Sequence, residues 1–353
     1  MTPTPEARAE SDPPPSHHRP DGYQNNYLEF EPRSLGELLR WKFAATRDGL
    51  PKPPAVPTAR VAPDLAFIDR NARAGRAMEP AITWIGHASA LAQFGGINIL
   101  TDPVFSERVS PLSFIGPKRH VPPGLTLAQL PHIDVVLISH NHYDHLDDAS
   151  VRALNAQPGG APLFVVPLGI KAWMAKRDIV NVVELDWWQA TTVAAPLGPV
   201  EVFLTPVQHW SGRGLTDRMK TLWGGYAVFA PDLQFYFTGD TAYSKDFADV
   251  RRRFAERQRG GGFDIALVAV GAYEPRWFMS TQHVNPAEAV QIHLDLGAKR
   301  SLGVHWGTFD LTDESLDTPP RQLADARRAQ GVADEAFFVM AIGETRKIAP
   351  RAP

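Results

Sequence analysis

The chain contains no cysteine in its 353 residues. Disulfides are therefore excluded, as is any zinc site built on thiolate, and the redox compartment stays unread. It also has no run of 18 or more apolar residues, so no segment reads as a transmembrane helix. Neither sign of charge dominates: the net charge is -3, which argues against a nucleic-acid partner. The first residues, MTPTPEARAESDPPPSHHRPDG, have no basic stretch followed by an apolar one, so they do not read as a secretory signal. The expected location is cytoplasmic, and peripheral attachment to a membrane stays compatible because it needs no span. What is present, 44% apolar and 21% charged residues, is the balance of a soluble globular protein.

Residues 1 to 25 are rich in Pro, Ser and charge, and read as a disordered tail in which His17 and His18 are solvated. Residues 26 to 60 hold a helix and a connector. Ser34 and Glu37 have the spacing of a capping box, Leu35, Leu38 and Leu39 share the next helical face, and prolines from Pro51 to Pro63 exclude regular structure. The main domain is placed at 61 to 353. Its strand candidates are 81–85, 89–94, 97–101, 134–139, 163–166, 182–185, 200–205, 225–229, 234–238, 265–270, 301–304 and 336–340. Asn285-Pro286-Ala287-Glu288 opens a helix expected to end at Gly297, and another is expected from about Pro320 to Gln330.

The chemistry concentrates in Ser139-His140-Asn141-His142-Tyr143-Asp144-His145-Leu146-Asp147, which follows an apolar strand. Imidazole and carboxylate without thiolate suit a borderline divalent ion such as zinc. In extended chain His140 and His142 project to one side, while Asp144 and His145 face elsewhere as the chain bends. The backbone spreads these donors too far for one ion, so the spacing argues for two. His209, Asp240 and His305 each follow a later strand candidate, where loops of layered α/β proteins gather into sites. Asp102 and Asp147 are candidates to accept the second N–H of ligand histidines. His87, His120, His132 and His293 lack such company, and His293, on a helix, reads as structural.

Taken together, ITWIGHAS, LTDPVFSERVSP, GPKR, VVLISHNHYDHLD, VPLG, ELDWW, QHWSGR, FTGDTAY, GAYEPRWFM, HVNPAEAVQIH and HWGTF resemble the metallo-β-lactamase superfamily, and within it the N-acyl-phosphatidylethanolamine-hydrolysing phospholipase D family. The resemblance spans roughly residues 80 to 345. It implies an α/β fold of αββα type, with two mixed sheets packed together and helices outside. It implies two zinc ions per chain: His140, His142 and His209 on one, Asp144, His145 and His305 on the other, and Asp240 between them. His283 would face the substrate. Tyr273, Glu274, Arg276 and Trp277 form part of the signature, with Arg276 either an ion-pair partner or a phosphate binder.

The expected reaction is hydrolysis of N-acyl-phosphatidylethanolamine to phosphatidate and N-acylethanolamine, by attack of a metal-bridging hydroxide that Asp144 helps to orient. A lactonase or other metallo-hydrolase on the same scaffold, and a non-enzymatic metal-binding protein, are the alternatives. A phospholipid substrate needs an apolar path. Phe105, Val109, Leu112, Phe114 and Ile115 beside Lys118 and Arg119 are candidates for it, as are Trp41 and Phe43; ordinary core packing is the competing reading. The partners expected are a phospholipid and a membrane surface, and a homodimer is compatible with the chain.

Overall fold

The computed structural model describes residues 15–28, 33–112, 114–214, 216–258 and 260–351. Residues 1–14 of the expected tail lie outside them. The rest of that tail is not solvated chain. Strands β1 (His18–Arg19) and β2 (Gly22–Tyr23) form a small antiparallel hairpin, and His17 and Asn25 are buried. The apolar content here is low, and order comes from polar groups that meet partners far along the sequence, described below.

Helix α1 (Leu35–Asp48) begins with the expected capping box: the Glu37 amide donates to Ser34 Oγ and the Ser34 amide to Glu37 Oε2, and Gly49 closes it in the left-handed conformation. Its buried side is Trp41 and Ala45, packed on Phe278 and Met279, with Trp41 Nε1 donating to Asp313 at 2.8 Å. Leu35, Leu39 and Phe43 point outward instead, at 71%, 61% and 73% exposure.

After α2 (Leu65–Ala72), one seven-stranded sheet is built from β3 (Ala81–Gly86), β4 (Ser89–Phe94), β5 (Ile97–Thr101), β6 (Val135–Leu137), β7 (Leu163–Pro167) and β8 (Val182–Leu185), with β16 (Thr345–Lys347) on the edge beside β3. The strands from β16 to β5 pair antiparallel and those from β5 to β8 parallel. Helices α3 (Asp148–Asn155) and α4 (Ile170–Ala175) lie within this run. The second seven-stranded sheet repeats the scheme. Strands β9 (Ala190–Val193), β10 (Val200–Thr205), β11 (Gly225–Phe229) and β12 (Gln234–Phe237) pair antiparallel, then β12, β13 (Ile265–Ala269), β14 (Ser301–Val304) and β15 (Phe337–Phe338) pair parallel. Helices α5 (Asp246–Arg253), α6 (Arg276–Met279), α7 (Pro286–Leu296) and α8 (Thr318–Gln330) complete the chain.

Alternation of side chains along each strand explains the layers. Val135 and Leu137 join the core between the sheets, whereas Val136 and Ile138 pack with Val151, Leu154, Ile170 and Met174 under the helices. Across the central core, Phe94 of one sheet meets Phe235 of the other at 5.8 Å between ring centroids. On the far side α7 packs on β13 and against α5 and α8. This is the αββα sandwich of two mixed sheets. Among the described residues no helix is long and apolar enough to cross a membrane.

Candidate metal centre

The site forms where strands of both sheets end. His140, His142, Asp144 and His145 follow β6, and Asp102 follows β5 in the same sheet. His209 follows β10, Asp240 follows β12 and His305 follows β14 in the other. His87, Asp102 and His305 all have positive φ, at 53°, 28° and 62°. Side chains rarely tolerate this region, and such residues concentrate at functional sites. The two sheets approach closely here: a Cβ on Gly239, the residue before Asp240, would lie 2.5 Å from the Ser139 Cβ.

The side chains fall into two groups joined by one carboxylate. His140 Nε2 and His209 Nε2 lie 2.8 and 3.4 Å from His142 Nδ1. Asp144 Oδ2 lies 3.4 Å from both His145 Nε2 and His305 Nε2. Asp240 reaches both groups. Its Oδ2 is 3.0 Å from His145, 3.9 Å from His209 and 4.0 Å from His140, and its Oδ1 is 3.2 Å from His305. His140, His142 and His209 thus cluster on one side and Asp144, His145 and His305 on the other, with Asp240 between them.

These residues fit divalent ions. The His142 Nε2 atom is buried without a hydrogen-bond partner, a cost of roughly 1–3 kcal/mol unless something else engages it. Imidazole nitrogens that approach one another within 3.4 Å, buried among carboxylates, are a donor set for a cation. Burial, with repulsion from neighbouring imidazoles, holds His140 and His142 well below the usual histidine range. Burial also brings His209 down to about 4, against the pull of Asp240. All three are thus kept neutral, the form that binds metal. At His305 burial is overridden by Asp240 and Asp144, which raise it to about 9.

The surrounding groups orient the ligands. Asp102, wholly buried, lies 2.6 Å from His145 Nδ1 and accepts from the Ser139 amide and hydroxyl. The Ser139 hydroxyl is in turn 2.9 Å from His140 Nδ1. His209 Nδ1 lies 2.8 Å from the Gln282 carbonyl. Asp147 does not do this work: it accepts from Ser106 and Ser150 hydroxyls and from the Phe105 and Ser106 amides, and so ties down the loop after Asp102 instead of a ligand imidazole. Arg213 braces the ligand segment itself, donating to the Asn141 and Leu146 carbonyls at 2.9 and 2.7 Å.

His87, which the sequence leaves without company, joins the cluster. Its Nε2 is 3.1 Å from Asp144 Oδ2 and its ring centroid 4.1 Å from that of His305. Its sequence signals were its place at a strand end, after Gly86, and its presence in ITWIGHAS. His293 is structural, 2.8 Å from Ser301 Oγ. Arg276 forms a bidentate pair with Glu288, at 2.9 and 2.8 Å, and anchors the start of α7.

A cavity of about 530 Å³ opens over the cluster. His142, Asp144 and Asp240 lie at one side and His283 beside them, its Nδ1 3.9 Å from Asp240. The remaining wall is apolar, with Leu35, Leu38, Trp41, Phe278, Met279 and Leu311, and Arg33, Lys42 and Arg218 bring positive charge to it.

Comparison with known proteins identifies the family. The family model of the beta-lactamase superfamily domain matches residues 97–306. The chain is 40% identical over 273 residues to N-acyl-phosphatidylethanolamine-hydrolyzing phospholipase D 1 of Caenorhabditis elegans, covering 74% of each. It is 36% identical over 331 residues to an uncharacterized protein of Mycobacterium tuberculosis, covering 90% of this chain and 82% of that one. Among solved structures, an isothiocyanate hydrolase from Delia radicum gut bacteria superposes with a TM-score of 0.58 at 19% identity, over 76% of this chain and 99% of that one. The chain is a metallo-hydrolase that belongs to the metallo-β-lactamase superfamily and, within it, to the family that includes the N-acyl-phosphatidylethanolamine-hydrolysing phospholipases D.

Proposed function

We propose that the protein is a zinc-dependent phosphodiesterase of phospholipase D type. It cleaves N-acyl-phosphatidylethanolamine to phosphatidate and N-acylethanolamine. The observation that carries this reading is the make-up of the cavity: a paired His and Asp cluster at its base, cationic side chains on its wall and a broad apolar lining. An anionic amphiphile matches all three, with its phosphate over the cluster and its chains along Leu35, Leu38, Trp41, Phe278 and Met279.

His140, His142 and His209 would hold one ion, Asp144, His145 and His305 the second, and Asp240 both. Bound there, two divalent ions supply Lewis acidity to a phosphoryl oxygen and acidify water. The protein's own residues do the rest. Arg33, Lys42 and Arg218 draw the phosphate in. Asp144, held by His87 and His305, accepts a hydrogen bond from the attacking water and aims it. His283, kept neutral because burial lowers it to about 3, offers a hydrogen-bonding nitrogen to the substrate at the cavity wall. The apolar lining excludes bulk water from the reacting phosphate.

The protein also docks at a membrane surface without crossing it. The outward Leu39 and Phe43 of α1 and the exposed Leu112, Phe114 and Ile115 supply apolar contact. Hydrolysis in heavy-oxygen water tests the reaction. Label should appear in phosphatidate and be absent from the ethanolamide. Label in a released fatty acid would mean ester, amide or lactone cleavage and would overturn the phospholipase D reading.

A further inference from the structure

The N-terminal residues 15–28 cross the protein as a strap. The Tyr23 amide donates to the Met219 carbonyl, and Gly22 packs so closely there that a Cβ would lie 2.3 Å from the same oxygen. Asn25 then pairs with both backbone groups of His209, donating to its carbonyl at 2.9 Å and accepting from its amide at 3.0 Å. The loop that carries a ligand of the central cluster is therefore held by a segment 184 residues earlier.

The strap's other end closes on Asp186. His17 Nε2 lies 2.7 Å from Asp186 Oδ1, and His18 Nε2 2.9 Å from Oδ2. Neighbouring residues of extended chain point to opposite sides. Here the turn closed by His18 N and the Pro15 carbonyl brings both rings to one carboxylate, 4.6 Å apart and edge to face. The rings are fixed from outside: His17 stacks on Trp187 at 4.3 Å, and His18 meets the edge of Tyr23 at 5.2 Å. Asp186 is buried, and its ion pairs are with these two imidazoles, which carry charge only when protonated.

We propose that His17, His18 and Asp186 form a third divalent-cation site, separate from the central cluster, which clasps the strap to the body of the protein. The three donor atoms lie within 4.8 Å of one another. The nitrogens lie 2.7 and 2.9 Å from the two oxygens of one carboxylate, so an ion with ligands at about 2 Å, which stand roughly 3.3 Å apart in a tetrahedron, needs the rings to part by only a few tenths of an ångström. The donor set, two imidazoles and one carboxylate, is of the kind zinc takes, with a fourth position left to water. A cation here gives a buried carboxylate the fixed positive charge that, among the described residues, no lysine or arginine pair provides. It also stiffens the segment that holds the His209 loop.

The test uses the full chain, crystallised after saturation with zinc, with diffraction collected on both sides of the zinc absorption edge. A zinc-specific peak among His17, His18 and Asp186 is expected. Peaks over the central cluster with none at Asp186 overturn the proposal. In solution, the His17→Gln/His18→Gln variant should hold about one zinc ion per chain fewer than the wild type. Equal zinc content in the two folded proteins also overturns it. If the variant does not fold, the wild-type map decides.

Discussion

Taking a carboxylate out of water costs several kcal/mol (roughly, for each ion) unless its oxygens are engaged. Asp102 offsets part of that cost with Ser139 N at 2.7 Å, Ser139 Oγ at 2.5 Å and His145 Nδ1 at 2.6 Å, and burial still holds its carboxyl above the usual range. Its role is to fix the His145 tautomer so that Nε2 faces Asp240 and Asp144. Asp102→Asn keeps the shape but puts an amide where an acceptor is needed. Zinc affinity, measured by competition with a chelator, should fall about 10- to 100-fold, and turnover should fall with it. Affinity unchanged in the variant would refute the orienting role. The clustered histidines and aspartates were legible in the sequence because each is a polar residue just past an apolar strand. The outer shell was only half legible. Asp102 and Asp147 look alike as sequence, and only the fold shows that one meets His145 while the other meets Ser106 and Ser150. His17 and His18 were misread as solvated because their partner, Asp186, is 169 and 168 residues away.

Elements divide along the same line. Strands buried on both faces, such as β11 and β14, were readable to the residue, since a near-continuous apolar run leaves a plain signal. Strand β9, Ala-Thr-Thr-Val, has no fully buried residue, and β16, Thr-Arg-Lys, is a polar edge strand, so neither stands out from loop. Short helices rich in charge, such as α5 with its run of arginines, were missed for the same reason. In α1 the box and the helix were legible but not the buried side, because Trp41 and Ala45 pack on α6, which is distant in sequence. The leucine and phenylalanine side left outside is the basis for the membrane docking proposed above. Each such side chain is worth about 1.5–3 kcal/mol when fully buried. Leu39→Glu with Phe43→Glu should therefore weaken vesicle binding more than about tenfold, as measured by flotation in high salt. Turnover of a dispersed short-chain substrate should be retained. Vesicle binding equal to wild type would rule out α1 as the contact.

At the scale of the molecule, neither sheet holds a complete site. His140, His142, Asp144 and His145 come from one, and His209, Asp240 and His305 from the other. Contacts between the sheets hold them in place: Tyr226 donates to the Ile138 and Val165 carbonyls, and Gly224 N to the Ser139 carbonyl. Ion binding and sheet packing are thus linked equilibria. Stripping the metal should lower the denaturant midpoint and resupplied zinc should restore it, by about 4 kcal/mol at a thousand times the dissociation constant. A midpoint indifferent to zinc would contradict the linkage. Phe235→Ala, which empties the inter-sheet contact with Phe94, should cost about 3–5 kcal/mol in the same measurement.

The cavity wall has a kinetic consequence. Of the candidate ligands, His142, Asp144 and Asp240 border it, while His145, His209 and His305 are almost wholly enclosed by protein. Ions and substrate therefore share a doorway. A substrate of the proposed kind lodged there would act as a stopper, and the time an ion takes to escape to a chelator should lengthen as the doorway fills.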